Sequence, residues 1–221
     1  MKLEQRIRGG LERHSDQLLC LSLLVLIVIH PLLDYGPIRR SIQALLTFIP
    51  AVLAIGVVAK TKRRVWLPVA LLFAALLLAI LGAVTSNPAL VALEWTALAA
   101  FFLLIVAALF SYLQRVHQIA NRHLYTAASI YLLLGLLWFA LYNIIEVLFP
   151  GSFLETGSHL THRRSGLLYF SLATLTTVGY GDIVPAAGLA RTLAALEAGA
   201  GVLYVAITVA LLVSAHKRTE Q

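Results

Sequence analysis

Seven consecutive residues, Thr176, Thr177, Val178, Gly179, Tyr180, Gly181 and Asp182, lie between a short apolar run and a long one. Successive carbonyls point the same way only if alternate residues take backbone angles that a side chain opposes, and Gly179 and Gly181 hold such alternate places. Main-chain oxygens of Thr177, Val178, Gly179 and Tyr180 could then replace the hydration water of a cation without fixed charge, and the Thr177 hydroxyl could add an innermost layer. No catalytic constellation competes with this loop. Cys20 is the only cysteine and falls in the first apolar stretch, so thiols build neither an intrachain disulfide nor a zinc site, and it reads as a small buried hydrophobe.

The elements around the loop are those of a membrane protein. Of the 221 residues, 60% are hydrophobic and only 12% charged. Six stretches are long enough to cross a bilayer: 17–33, 41–59, 65–84, 88–113, 123–148 and 189–215. A seventh, 166–175, is too short. Irregular backbone at membrane depth is tolerated only where protein or a water-filled cavity satisfies it, and a short helix from Ser165 to about Thr176 followed by a loop meets that condition. The C-terminal carbonyls of that helix would favour a dehydrating cation. Asn87 can cap a helix opened by Pro88, and Ser165 can cap the short one.

The net charge of +7 does not imply nucleic-acid binding, because the basic residues cluster between apolar spans. Lys2, Arg6, Arg8, Arg13, Lys60, Lys62, Arg63, Arg64, Arg115, Arg122, Lys217 and Arg218 put 12 of the 17 Lys and Arg on one side. The positive-inside rule makes that side cytoplasmic, with both termini, and leaves the turn at 85–87 and the segment 150–187 outside. The N-terminus reads as retained, since the first span is too long for a signal sequence and no convincing cleavage site follows.

Thr-Val-Gly-Tyr-Gly-Asp is the filter signature of the tetrameric potassium channels, and the chain resembles that family closely over its last 95 or so residues, while spans one to four match only in number and length. The resemblance implies an all-α membrane protein of six transmembrane helices plus a re-entrant pore helix and selectivity-filter loop. Its expected organisation is a cytoplasmic, possibly interfacial segment 1–16, a four-helix domain 17–120, a pore domain 121–215 and a short tail 216–221. One loop supplies one carbonyl per layer, whereas an encircled ion needs about four, so a homotetramer is implied. The implied ion-binding residues are Thr177, Val178, Gly179, Tyr180 and Gly181, with K+ at the first four. Potassium is the permeant ion and no cofactor is implied. The implied location is a bacterial inner (cell) membrane.

Several positions depart from the family pattern. Two neighbouring tryptophans usually brace the filter, and the matching residues here are Tyr169 and Phe170. Tyr169 could hydrogen-bond the Asp182 carboxylate, while Phe170 could pack on Tyr180 but donates nothing, leaving Thr174 as the partner for the Tyr180 hydroxyl. Ala173 stands where some relatives carry a glutamate, so no carboxyl pair can form around Asp182. Gly201 falls where relatives often have a hinge glycine, although close helix packing explains it equally well. With Val205, Val209 and Leu212 it could line a cavity and form an apolar gate that closes by dewetting.

The fourth span, 88–113, has no arginine, so the series needed for steep voltage gating is missing. Its Glu94 is within reach of Arg39, Arg40 or His30 as a structural pair, and Glu197 on the last span is expected to hydrogen-bond the pore helix or a neighbouring span. His159, His162, Arg163 and Arg164 read as a solvated outer turret, with pH sensing as the sharper alternative. Leu3, Ile7 and Leu11 among charged residues suit a helix on the inner membrane surface, against which Gly9 and Gly10 count. The short tail, His216 to Gln221, argues against a nucleotide- or calcium-sensing module within the chain, and a separate regulatory subunit stays open. The expected function is passive K+ conduction. A weakly selective cation channel, a non-conducting membrane subunit and a transporter-type pore are the rivals.

Overall fold

The computed structural model describes residues 2–32, 39–60, 65–85, 87–115, 121–155, 158–159 and 163–217. Seven helices account for most of them: α1 Lys2–Leu32, α2 Arg39–Lys60, α3 Trp66–Thr85, α4 Pro88–Leu113, α5 Asn121–Leu148, α6 Arg163–Leu175 and α7 Gly188–Lys217. A polypeptide crossing hydrocarbon must satisfy its own backbone, and an apolar helix of 20 residues, as in α3, does so over about 30 Å. Five helices are long and apolar enough to cross a membrane among the described residues: His14–Pro31 of α1, α3, α4, Arg122–Leu148 of α5 and Gly188–Val213 of α7. The expected second span is a 22-residue helix, α2, whose described apolar stretch is the shorter Leu46–Ala59.

The limits of the helices follow local chemistry. Asn87 is the N-cap of α4, its Oδ1 accepting from Ala89 N at 2.9 Å with Pro88 in the first turn, as expected. Ser165 is not the cap of α6, because the helix starts two residues earlier, at Arg163. Nor does α1 break at Gly9 or Gly10, so residues 2–16 continue the helix of the first span, whose apolar stretch begins at His14; the side chains before His14 lie outside the described residues. The side chains of His159, Arg163 and Arg164, all of His162, and residues beyond 217 lie outside them too, as do the side chains of Arg39 and Arg40 expected beside Glu94.

Helix α5 is the centre of the molecule, packing on α1, α4, α6 and α7. Of its span, 61% is buried within the chain, against 17% for α7, which packs chiefly on α5, α6 and the strand that precedes it. Phe139 knits the bundle together, taking His30 of α1 edge-on at 5.5 Å and Trp95 of α4 at 5.2 Å. Helices α1 and α4 therefore lean on α5 of their own chain, and α2 and α3 pack on that pair.

An all-helical expectation misses one element. Strands β1 Phe153–Glu155, β2 Ser158–His159 and β3 Ile183–Pro185 form a small antiparallel sheet in the order β2-β1-β3. Its register pairs Phe153 with Pro185, Leu154 with Val184 and Glu155 with Ile183. Strand β3 begins one residue after Asp182, so the sheet ties the end of the loop to the segment that precedes α6.

Candidate cation-coordinating loop

The loop is built from the end of α6. Four carbonyls left without helical partners at a helix C-terminus need donors, and here the loop supplies most of them. Thr176 N donates to Leu172 O at 3.1 Å, Thr177 N to Thr174 O at 2.9 Å, and Val178 N and Gly179 N both reach Ala173 O, at 2.9 and 3.2 Å. The last carbonyl, Leu175 O, accepts from the Tyr131 hydroxyl of α5 at 3.1 Å. The helix end therefore keeps its dipole but spends these carbonyls on fixing the loop.

With the N–H groups of Thr176 to Gly179 turned back toward α6, the loop leaves its oxygens without these donors. Positive φ occurs at Thr177 (60°), Gly179 (53°) and Gly181 (80°), every second residue. That is the alternation expected of the two glycines, extended one step to a threonine, a strained position for a β-branched residue. Among the described residues, no backbone donor outside the helices and strands reaches the carbonyls of Thr177, Val178, Gly179 or Tyr180. The stretch is also open: Val178 is 52% and Tyr180 71% exposed.

The supports divide differently from the sequence reading. Tyr169 does donate to Asp182 Oδ1, at 3.0 Å, and its ring stacks on Tyr180 with centroids 6.0 Å apart and planes 10° from parallel. Phe170 does not pack on Tyr180 within the chain. It turns into the core, where Phe170, Tyr142 and Phe153 meet edge to face at 5.2 to 5.3 Å. Amphipathic Tyr169 takes the half-exposed face and apolar Phe170 the buried one, as helical spacing of adjacent residues requires. Thr174 serves the loop through its carbonyl.

The exit of the loop is fastened as well. Ala186 N and Ala187 N donate to Ser152 O at 2.8 and 3.3 Å, beyond β3. The buried Glu146 carboxylate, at the top of α5, accepts from Gly151 N at 2.9 Å and Phe153 N at 3.3 Å, and so holds the β1 end. Gly151 makes that turn possible with φ of 86°.

Behind α6 lies a polar cluster of which the sequence disclosed only one member. Glu197 of α7 is fully buried and, as expected, meets α6: its Oε1 is 2.6 Å from Ser171 Oγ, and the Tyr142 hydroxyl donates to its Oε2. Ser171 Oγ also lies 2.8 Å from the Gly135 carbonyl of α5. Ser171, Tyr142 and Tyr131 were missed because a single hydroxyl in an apolar helix carries no pattern. Their common signal was spacing, since Tyr131, Gly135 and Tyr142 recur at three- or four-residue intervals or multiples along α5.

The candidate cavity residues do not share one environment. Gly201 is buried against α6, where a Cβ built on it would stand 2.0 Å from Leu175 O. Val205 and Val209 are exposed in the single chain, and Leu212 is half-buried. Close packing, the plainer of the two readings for Gly201, has a definite partner here.

Residues 126–218 match the ion channel family. The inward rectifier potassium channel Kirbac3.1 of Paramagnetospirillum magnetotacticum is 34% identical over 82 residues, covering 35% of this chain and 28% of that protein. The chain thus spans little more than a quarter of that relative's length. No solved structure matches the chain. The likeness is thus to ion channels.

Proposed function

We propose that this chain, whose residues 126–218 match the ion channel family, is one subunit of a homotetrameric pore that conducts K+ passively down its electrochemical gradient. The observation that carries the reading is the alternation of positive φ at Thr177, Gly179 and Gly181, with the N–H groups of Thr177, Val178 and Gly179 bonded back to α6. Such a backbone offers a file of neutral oxygens from Thr177 to Tyr180, the ligand set that substitutes for the water of a potassium ion. Backbone left open in this way cannot face lipid, so neighbouring copies around an aqueous axis must enclose it. The scant burial of α7 within its own chain supports the same arrangement.

In this reading α5, α6 and α7 are the outer, pore and inner helices, both termini are cytoplasmic, and the sheet lies outside a cell membrane. Val205, Val209 and Leu212 are the candidate constriction, and the absence of arginine from 88–113 makes gating only weakly dependent on voltage. One observation favours weaker selectivity as the second reading: with Phe170 turned inward, Tyr169 is the aromatic that braces Tyr180 within the chain. Reversal potentials of the reconstituted protein in mixed K+ and Na+ separate the two. Gly179→Asp should abolish K+ flux while leaving membrane insertion intact, because it puts a charge and an opposed side chain at φ of 53°. Undiminished flux through that variant would show that ions take another route.

A further inference from the structure

The cluster behind α6 contains more short contacts than its hydroxyl protons can serve if Glu197 is a carboxylate. Ser171 has one hydroxyl proton but faces two acceptors, Gly135 O at 2.8 Å and Glu197 Oε1 at 2.6 Å. Tyr142 has already directed its proton at Oε2. All three contacts are hydrogen bonds only in one arrangement: Glu197 carries a proton and donates it to Ser171 Oγ, Ser171 donates to the Gly135 carbonyl, and Tyr142 donates to the acid's second oxygen. The site supports this count, since Glu197 is wholly buried and no basic side chain pairs with it among the described residues.

We propose that Glu197, held as a neutral carboxylic acid, is a positioning residue for the loop, locking inner helix α7 to α6 and α5 at one point. The inference rests on the reading that the loop conducts K+. Ser171 precedes Ala173 and Thr174, whose carbonyls hold the N–H groups of Thr177, Val178 and Gly179, by less than one helical turn. Gly201, one turn beyond Glu197 on α7, meets the Leu175 carbonyl. A shift of α7 at this level therefore moves the frame on which the loop oxygens are hung. Glu197 touches no permeating ion in this scheme and acts through α6.

The test compares Glu197→Gln with Glu197→Ala in the full chain reconstituted in liposomes, with K+ and Na+ flux measured side by side. The glutamine amide can donate to Ser171 while its oxygen accepts from Tyr142, so Glu197→Gln should keep the K+ over Na+ ratio within about twofold of the parent. Glu197→Ala strands Ser171 and Tyr142, and the ratio should fall about tenfold. The infrared carbonyl band of a protonated carboxylic acid should be present in the parent and lost in Glu197→Gln, a change that packing alone does not produce. If Glu197→Ala does not assemble, Ser171→Ala reads the same coupling, because it orphans the acid and the Gly135 carbonyl together. A glutamine variant as damaged as alanine, a missing acid band, or parental selectivity in Glu197→Ala or Ser171→Ala would overturn the proposal. A parent protein without K+ flux would instead refute the channel reading on which it stands.

Discussion

Gly201→Ala is the sharpest perturbation the fold offers. A methyl group there would stand 2.0 Å from Leu175 O, 3.0 Å from its carbonyl carbon and 3.3 Å from its Cδ1. Side-chain carbons do not come so near backbone oxygen, so α7 and the end of α6 must separate by roughly 1 Å or more, and overpacking of this kind costs about 1–3 kcal/mol. The Leu175 carbonyl has little freedom to yield, being held by the Tyr131 hydroxyl at 3.1 Å and lying two residues before Thr177. Helix propensity acts in the opposite direction, since alanine is better than glycine in a helix by about 1 kcal/mol. The propensity gain offsets part of the clash, so the flux assay, which reads the displacement of the loop, is the deciding measurement. K+ flux into liposomes should fall about tenfold or more, the equivalent of 1.4 kcal/mol out of the overpacking range. Gly199→Ala is the control, because its Cβ meets no heavy atom of the chain within 4 Å. Full flux and selectivity in Gly201→Ala, or a loss confined to Gly199→Ala, would refute the close-packing argument and return Gly201 to the role of a hinge.

Two smaller substitutions test the parts that hold the loop and the bundle. Tyr169→Phe keeps the ring stacked on Tyr180 but removes the hydrogen bond to Asp182, so K+ over Na+ selectivity should fall by a few fold, as expected for the loss of about 1 kcal/mol. Unchanged reversal potentials in mixed K+ and Na+ would show the bond to be idle. Asn87→Ala removes the side-chain acceptor at the start of α4 and should destabilise that helix by about 1 kcal/mol. The expected readout is a lower thermal midpoint in detergent, with ion selectivity unaffected.

The heptapeptide, the apolar spans, the Asn87 cap and the bond from Tyr169 to Asp182 were legible in the sequence for a common reason. Each depends on residues near one another along the chain, so spacing alone brings them together: a cap over two residues, a bond between the short helix and the loop it feeds, a span over 20 or more. The two glycines announced the alternating backbone, yet Thr177 did not, because no residue type advertises a left-handed threonine. Strands of two or three residues carry too little pattern to separate from a turn, which is why the sheet went unseen.

What the sequence by itself determined is the apolar, helical character of the molecule and the place of its alternating loop, since hydropathy and glycine placement are intrinsic to residue type. Tertiary structure alone decided the environment of each side chain. It sent Phe170 to Tyr142 and Phe153 in the core instead of to Tyr180, and set Gly201 against Leu175. It also brought Ser171, Tyr142 and Gly135 around Glu197, from positions 26, 55 and 62 residues away in the chain. Contacts across such separations arise from how α5, α6 and α7 pack, and side-chain spacing within any one helix does not contain that information.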